Sequence, residues 1–194
     1  MNRYKWIFIL FLIPSLAHAD VGLPMIVFIY PSMCIALIPI ILIEVWVLRK
    51  SLHVSFKDAF WSTSIANLVS TLIGIPIAWL LLVALEIWTG GGGVPNHGID
   101  SIYTRFLMVT WEAPWLLPSE EEFYWMVPTA TLVLLIPFFY ASWFIEFWVI
   151  KFFYKEIKPL DLKRIEFKMN LYSYGFLAAL NIIWLVVLIV LKKA

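Results

Sequence analysis

Four long apolar runs, at about 24–48, 60–88, 125–150 and 169–191, alternate with segments that hold most of the charge. Each run exceeds the roughly 20 residues needed to cross the hydrocarbon core of a bilayer. Backbone in lipid must close its own hydrogen bonds, and runs of this length do so as helices. The pattern predicts an all-α, polytopic membrane helical bundle of four transmembrane helices, arranged as two tandem, parallel helical hairpins. The first hairpin is expected over 20–88 and the second over 125–194, with an outer loop at 89–124 between them. Inside that loop Ile102, Phe106, Val109 and Ala113 recur at helical spacing, with Trp111 and Trp115 alongside. This predicts a short interfacial helix within Ile99–Pro118. Gly90–Gly93 reads as a tether, and Ser119 with the acids at 120–122 reads as a capped entrance to the third span.

Ahead of the first run, Arg3 and Lys5 precede an apolar stretch from Trp6 to Leu12, a proline at position 14 and Ala17-His18-Ala19. A positive start, a short apolar centre and an A-x-A ending make residues 1–19 a signal peptide, cleaved after Ala19. The apolar centre is too short for a spanning helix, which disfavours an uncleaved anchor.

Composition agrees with lipid as the solvent. Hydrophobic residues make up 63% of the 194 and charged ones 14%, with a mean hydropathy of +0.91. Soluble domains carry about a quarter charged residues, so this chain cannot present a water-compatible surface over most of its area. One cysteine, Cys34, excludes an intrachain disulfide framework. A net charge of +1 offers no basic field for nucleic acid.

Charge placement then predicts orientation. Arg49, Lys50 and Lys57 lie between the first two runs, and Lys151, Lys155, Lys158, Lys163, Arg164 and Lys168 between the last two; the opposite side receives only Arg105, Lys192 and Lys193. Basic loops stay cytoplasmic. The expectation is a multi-pass protein of the cell inner (plasma) membrane, mature N-terminus outside and both basic loops inside. The lysine pair at the tail opposes this by placing the C-terminus outside.

The two hairpins share residues. Ile43-Glu44-Val45-Trp46-Val47-Leu48-Arg49 returns as Ile145-Glu146-Phe147-Trp148-Val149-Ile150-Lys151, and Asn67-Leu68-Val69-Ser70 as Asn170-Leu171-Tyr172-Ser173. Apolar helices resemble one another easily, but glutamate, tryptophan and asparagine are not lipid-facing filler. The reading is an internal repeat, with its copies related by a pseudo-twofold axis along the membrane normal. Glu44 is then expected beside Asn67 and Glu146 beside Asn170, near the cytoplasmic headgroups, with Trp46 and Trp148 as interfacial aromatics.

A carboxylate deep in lipid costs about 2.5 to 3.5 kcal/mol on insertion scales, so these intramembrane polar pairs need a purpose. Hydrogen-bond adhesion between helices is the plainer one. A cation or proton site is the sharper one, although the pairs lie away from the midplane where transporters usually bind. In the second run Asn67, Ser70 or Thr71, Gly74 and Ala78 form a ridge of small residues suited to close helix packing, and Pro76 predicts a disturbance about one turn earlier. Asn181, in the fourth run, requires a partner. Glu86 reads as a solvated boundary residue, and Asp161, Lys163, Arg164 and Glu166 as a solvated face of alternating sign.

No phosphate loop, serine elbow or H-E-x-x-H pair occurs. His97, Asp100 and Glu112 lack a metal-ligand spacing. No catalytic, cofactor-binding or metal residues are expected. The expected partners are the lipid bilayer and either the chain itself or other membrane proteins, with no nucleic acid. The expected function is that of a non-enzymatic assembly or interaction subunit; the alternative is a small transporter or an ion or proton pathway using Glu44 and Glu146.

Overall fold

A computed structural model describes residues 22–90, 101–117 and 120–193. The expected signal peptide, the glycines beyond Gly90, His97 and Asp100, and Pro118–Ser119 lie outside the described residues. Among the described residues there are five helices: α1 (Met25–Leu52), α2 (Phe56–Trp88), α3 (Ile102–Thr110), α4 (Phe123–Phe153) and α5 (Pro159–Lys193). Two two-residue strands, β1 (Leu23–Pro24) and β2 (Trp115–Leu116), pair antiparallel with Leu23 opposite Leu116.

Helices α1, α2, α4 and α5 are each long and apolar enough to cross a membrane. Their burial is inverted relative to a water-soluble bundle. Ile35, Ile38 and Leu81 are exposed, whereas Glu44, Asn67, Glu146 and Asn170 are buried. Apolar-out and polar-in is what lipid selects, and the chain is a multi-pass membrane protein.

Helices α2 and α5 start earlier than the apolar runs suggest, at Phe56 and Pro159. Ser55 caps α2: its hydroxyl accepts from the Asp58 amide at 3.1 Å and donates to the Asp58 carboxyl at 2.7 Å. Pro159 opens α5, where its fixed φ and missing N–H are tolerated. In α5 the buried positions Leu162, Glu166, Met169, Asn170 and Ser173 follow helical periodicity, so the helix buries one stripe while Asp161, Lys163 and Arg164 stay exposed. Glu166 is thus not part of a solvated face. At the end of α1, His53 takes a left-handed conformation (φ 56°) and its N–H bonds the Arg49 carbonyl, closing a tight turn into α2.

The four long helices form a ring in which α2 and α5 each pack against both α1 and α4. Two apolar layers fill it. The layer at the α3 end includes Met25, Ile29, Met33, Ile75, Leu134 and Phe138, and the layer at the end with the α1–α2 and α4–α5 turns includes Val45, Leu48, Ala59, Ile150, Leu162 and Met169. Halfway along α2, Ser70–Gly74 is a π-helical segment, with the Ile75 N–H reaching back to the Ser70 carbonyl. It lies just before Pro76, which removes one N–H from the helical ladder. A Cβ on Gly74 would sit 2.5 Å from Cδ1 of Ile145, so the small ridge of α2 is taken up by α4.

The segment between α2 and α4 is fastened to the bundle. Besides the β1–β2 pairing, the Pro114 carbonyl accepts from the Met25 N–H at 3.1 Å and from Trp79 Nε1 at 2.9 Å. Helix α3, nine residues long, falls within the Ile99–Pro118 stretch where a short helix is expected. It buries Met108 and Val109 and leaves Ile102 and Phe106 exposed. Glu86, expected at a solvated boundary, is buried.

Candidate functional site: a buried carboxyl layer

Glu44 lies eight residues from the end of α1, and Glu146 seven from the end of α4. Asn67 and Asn170 each lie eleven residues into α2 and α5, about 16 Å at 1.5 Å per residue. That is deeper than an asparagine near the helix start, because the helices begin before the apolar runs do. Opposed helices joined by turns this short bring the two levels together.

Asn67 Nδ2 donates to Glu44 Oε2 at 2.5 Å, and Asn170 Nδ2 donates to Glu146 Oε2 at 2.7 Å. The second oxygen of each carboxyl is served from the opposite helix pair. Ser173 Oγ, on α5, donates to Glu44 Oε1 at 2.7 Å, and Ser70 Oγ, on α2, donates to Glu146 Oε1 at 2.5 Å. Six side chains from all four long helices therefore form one hydrogen-bonded layer. Each carboxyl takes one donor from its own helix pair and one from the other. All six are buried, Glu44 at 1% and Glu146 at 2% exposure.

Serine and asparagine stand three residues apart on both α2 and α5, which puts them on one face of each helix. Both asparagines also bond the carbonyl one turn back, Asn67 to Thr63 at 3.1 Å and Asn170 to Glu166 at 3.3 Å. Both serines bond the carbonyl of the asparagine three residues earlier. The donors thus keep a second partner within their own helix, whereas the carboxyl oxygens do not.

On the α3 side of this layer lies a small cavity of about 10 Å³, lined by Asn67, Ser70, Thr71, Ser142, Glu146 and Tyr174 together with four apolar side chains. In its wall Ser142 Oγ and Tyr174 Oη are hydrogen-bonded at 2.8 Å. Toward the turn between α4 and α5 sits Glu166, with no exposed surface. The carboxyls of Glu44, Glu146 and Glu166 are within range of mutual Coulomb interaction.

Spacing alone pairs Glu44 with Asn67 and Glu146 with Asn170; Ser70 and Ser173 as cross-links, Ser142, Tyr174 and Glu166 are additions of the structure. Glu166 was discoverable, since it lies four residues before Asn170 and so on the same helical face. Asn181 finds its partner in the Pro128 carbonyl, at 3.0 Å. The tail Lys192 donates to the Glu121 carbonyl at 2.5 Å and stands over the Tyr124 ring. Trp46 and Trp148 are more than half exposed, with Lys50 and Lys151 over their rings at 5.2 and 4.8 Å. Among the described residues no cluster of three or more His, Cys, Asp or Glu side chains is arranged to hold a metal ion.

Fold and site together define a polytopic membrane bundle with an interior carboxyl layer. Compared with known proteins, the chain matches no family, no curated protein and no solved structure.

Proposed function

We propose that this chain is a non-enzymatic assembly or interaction subunit of the cell inner membrane, built by tandem duplication of a two-helix hairpin. The observation that supports this is the reciprocal bonding of the two glutamates. All four of their oxygens are engaged by Asn67, Ser173, Asn170 and Ser70, so these groups act in holding the two halves together. The four bonds correspond in pairs when Glu44 is exchanged with Glu146, Asn67 with Asn170 and Ser70 with Ser173, as descent from one copied hairpin would give. With polar groups spent inside, the outward faces are apolar and meet neighbours by packing. In this reading the signal peptide is removed after Ala19, the basic turns after α1 and α4 are cytoplasmic, and both mature termini face out.

The test is recovery in native lipid discs without added detergent. A discrete multimer, or a defined membrane partner at constant stoichiometry, is the expected result, and it persists when Glu44→Gln and Glu146→Gln are combined. Recovery of monomer alone overturns the proposal.

A second reading, a small transporter or an ion or proton pathway through Glu44 and Glu146, is favoured by the cavity beside Glu146. Its volume suits one water among polar groups. Flux into reconstituted vesicles separates the two readings. The double Gln variant loses flux if the carboxyls carry ions and leaves it unchanged if they only join helices.

A further inference from the structure

The correspondence between the halves breaks one turn inward from the asparagines. Where α2 has Thr63, α5 has Glu166, each four residues before its asparagine. Glu166 and Thr63 are both fully buried. Neither carboxyl oxygen of Glu166 has a hydrogen-bond partner among the described residues, and the same holds for Asn170 Oδ1 and Thr63 Oγ1. Three of these four atoms can only accept when the carboxyl is ionised. An unmet buried acceptor is costly, and more so when charged.

Among the described residues no lysine or arginine is paired with Glu166. From α1 the facing titratable group is Glu44 and from α4 it is Glu146, both carboxyls already engaged; Tyr174 lies further out on α5. On α2 the charged residues near this level, Lys57 and Asp58, are exposed, as are Lys163, Arg164 and Lys168 on α5. The site therefore combines one free carboxyl with neutral oxygens. That donor set is hard and all-oxygen, without the sulfur or imidazole that transition metals prefer. Of the three carboxyls at this level, Glu44 and Glu146 already have both oxygens hydrogen-bonded, which leaves that of Glu166 to match a single positive charge.

We propose that Glu166, with Asn170 Oδ1 one turn further along the same face of α5 and Thr63 at the corresponding position of α2, binds one monovalent cation next to the carboxyl layer, a site for which an alkali ion and a proton compete. It adds to the assembly reading and does not depend on it, because binding is read on the single chain whatever its oligomeric state. A bound cation would sit within Coulomb range of Glu44 and Glu146, so occupancy would stabilise the layer that joins the halves.

The experiment measures Tm of the full chain in lipid discs with sodium, lithium or potassium chloride, N-methylglucamine chloride holding ionic strength constant. It is run at about pH 6 and about pH 8.5, which bracket a wide range of buried-carboxyl behaviour. An alkali-specific, saturable rise at the higher pH that fades at the lower one, and is lost in Glu166→Gln, assigns the site to an alkali ion in competition with protons. A pH-dependent Tm that is lost in Glu166→Gln, with no difference among the salts, assigns it to the proton. Should Glu166→Gln fail to fold, Thr63→Val removes one oxygen and no charge, and is expected to raise the half-saturating concentration about tenfold, or to shift the pH midpoint correspondingly. The proposal is overturned if Tm responds to neither cation nor pH, or if the response survives Glu166→Gln and Thr63→Val unchanged.

Discussion

Each carboxyl oxygen of Glu44 and Glu146 depends on one donor, while each donor has a second acceptor within its own helix. Losing a donor therefore leaves a buried carboxyl oxygen unmet, whereas losing the acceptor lets the donors fall back on Thr63, Asn67, Glu166 or Asn170 carbonyls. Ser70→Ala and Ser173→Ala are expected to destabilise by about 1–3 kcal/mol each, and by similar amounts, when unfolding is followed in mixed micelles. Glu44→Gln should cost less than about 1 kcal/mol, because a serine hydroxyl can turn to accept from the new amide. A double-mutant cycle of Ser70→Ala with Glu146→Gln should then be non-additive, the second change relieving part of the first. Additive losses would mean that the Ser70–Glu146 bond carries no energy.

Helix α2 shows how an element is shaped by residues that look incidental. Pro76 and the π-helical segment Ser70–Gly74 lie together in its middle, and Gly74 brings α2 onto Ile145 of α4. The obstacle to a larger residue is the tip of a flexible side chain. Gly74→Ala should be tolerated with a small loss, while Gly74→Leu overfills the contact and costs about 1–3 kcal/mol. Adding Ile145→Val should recover stability in the alanine variant, which thermal unfolding in detergent would detect. Toward the α3 end, Trp79 ties α2 to Pro114 and lies near Trp115, ring centroids 6.0 Å apart. Trp79→Phe keeps the ring and loses the N–H donor. Limited proteolysis should then cut the 101–117 segment faster, with α1 and α5 untouched; an unchanged cleavage rate would show that β1–β2 pairing suffices alone.

For the molecule as a whole, the helix order places His53 and Glu156 at one end of the bundle and Tyr103 and Lys192 at the other. With Cys34 replaced, single cysteines at these four positions should label from opposite sides in two pairs when an impermeant thiol reagent is added to sealed cells or vesicles. The basic-residue bias adds the direction, with 53 and 156 protected in intact cells. Labelling of 53 and 103 from the same side would contradict the four-span arrangement itself. Labelling of 53 and 156 from outside intact cells would leave the bundle standing and reverse its orientation.

The four spans were legible because lipid imposes a length and a composition that a linear reading detects. The ends of α2 and α5 were not, since amphipathic turns such as 159–168 look like polar linker until the face they bury is known. The pairs Glu44–Asn67 and Glu146–Asn170 followed from spacing, because neighbouring antiparallel helices joined by a short turn meet at predictable levels. Ser70 reaching Glu146 and Ser173 reaching Glu44 could not follow, as they join residues 76 and 129 positions apart across the bundle. Glu166 failed for a related reason: neighbouring charges of alternating sign suggested water, while its place one turn before Asn170 turned it inward. Chain-local chemistry determined that this protein crosses a membrane and which polar groups it carries there. Tertiary packing alone decided which of those groups face one another, because the buried carboxyl oxygens of Glu44 and Glu146 have no donor within their own helices and are met from other ones.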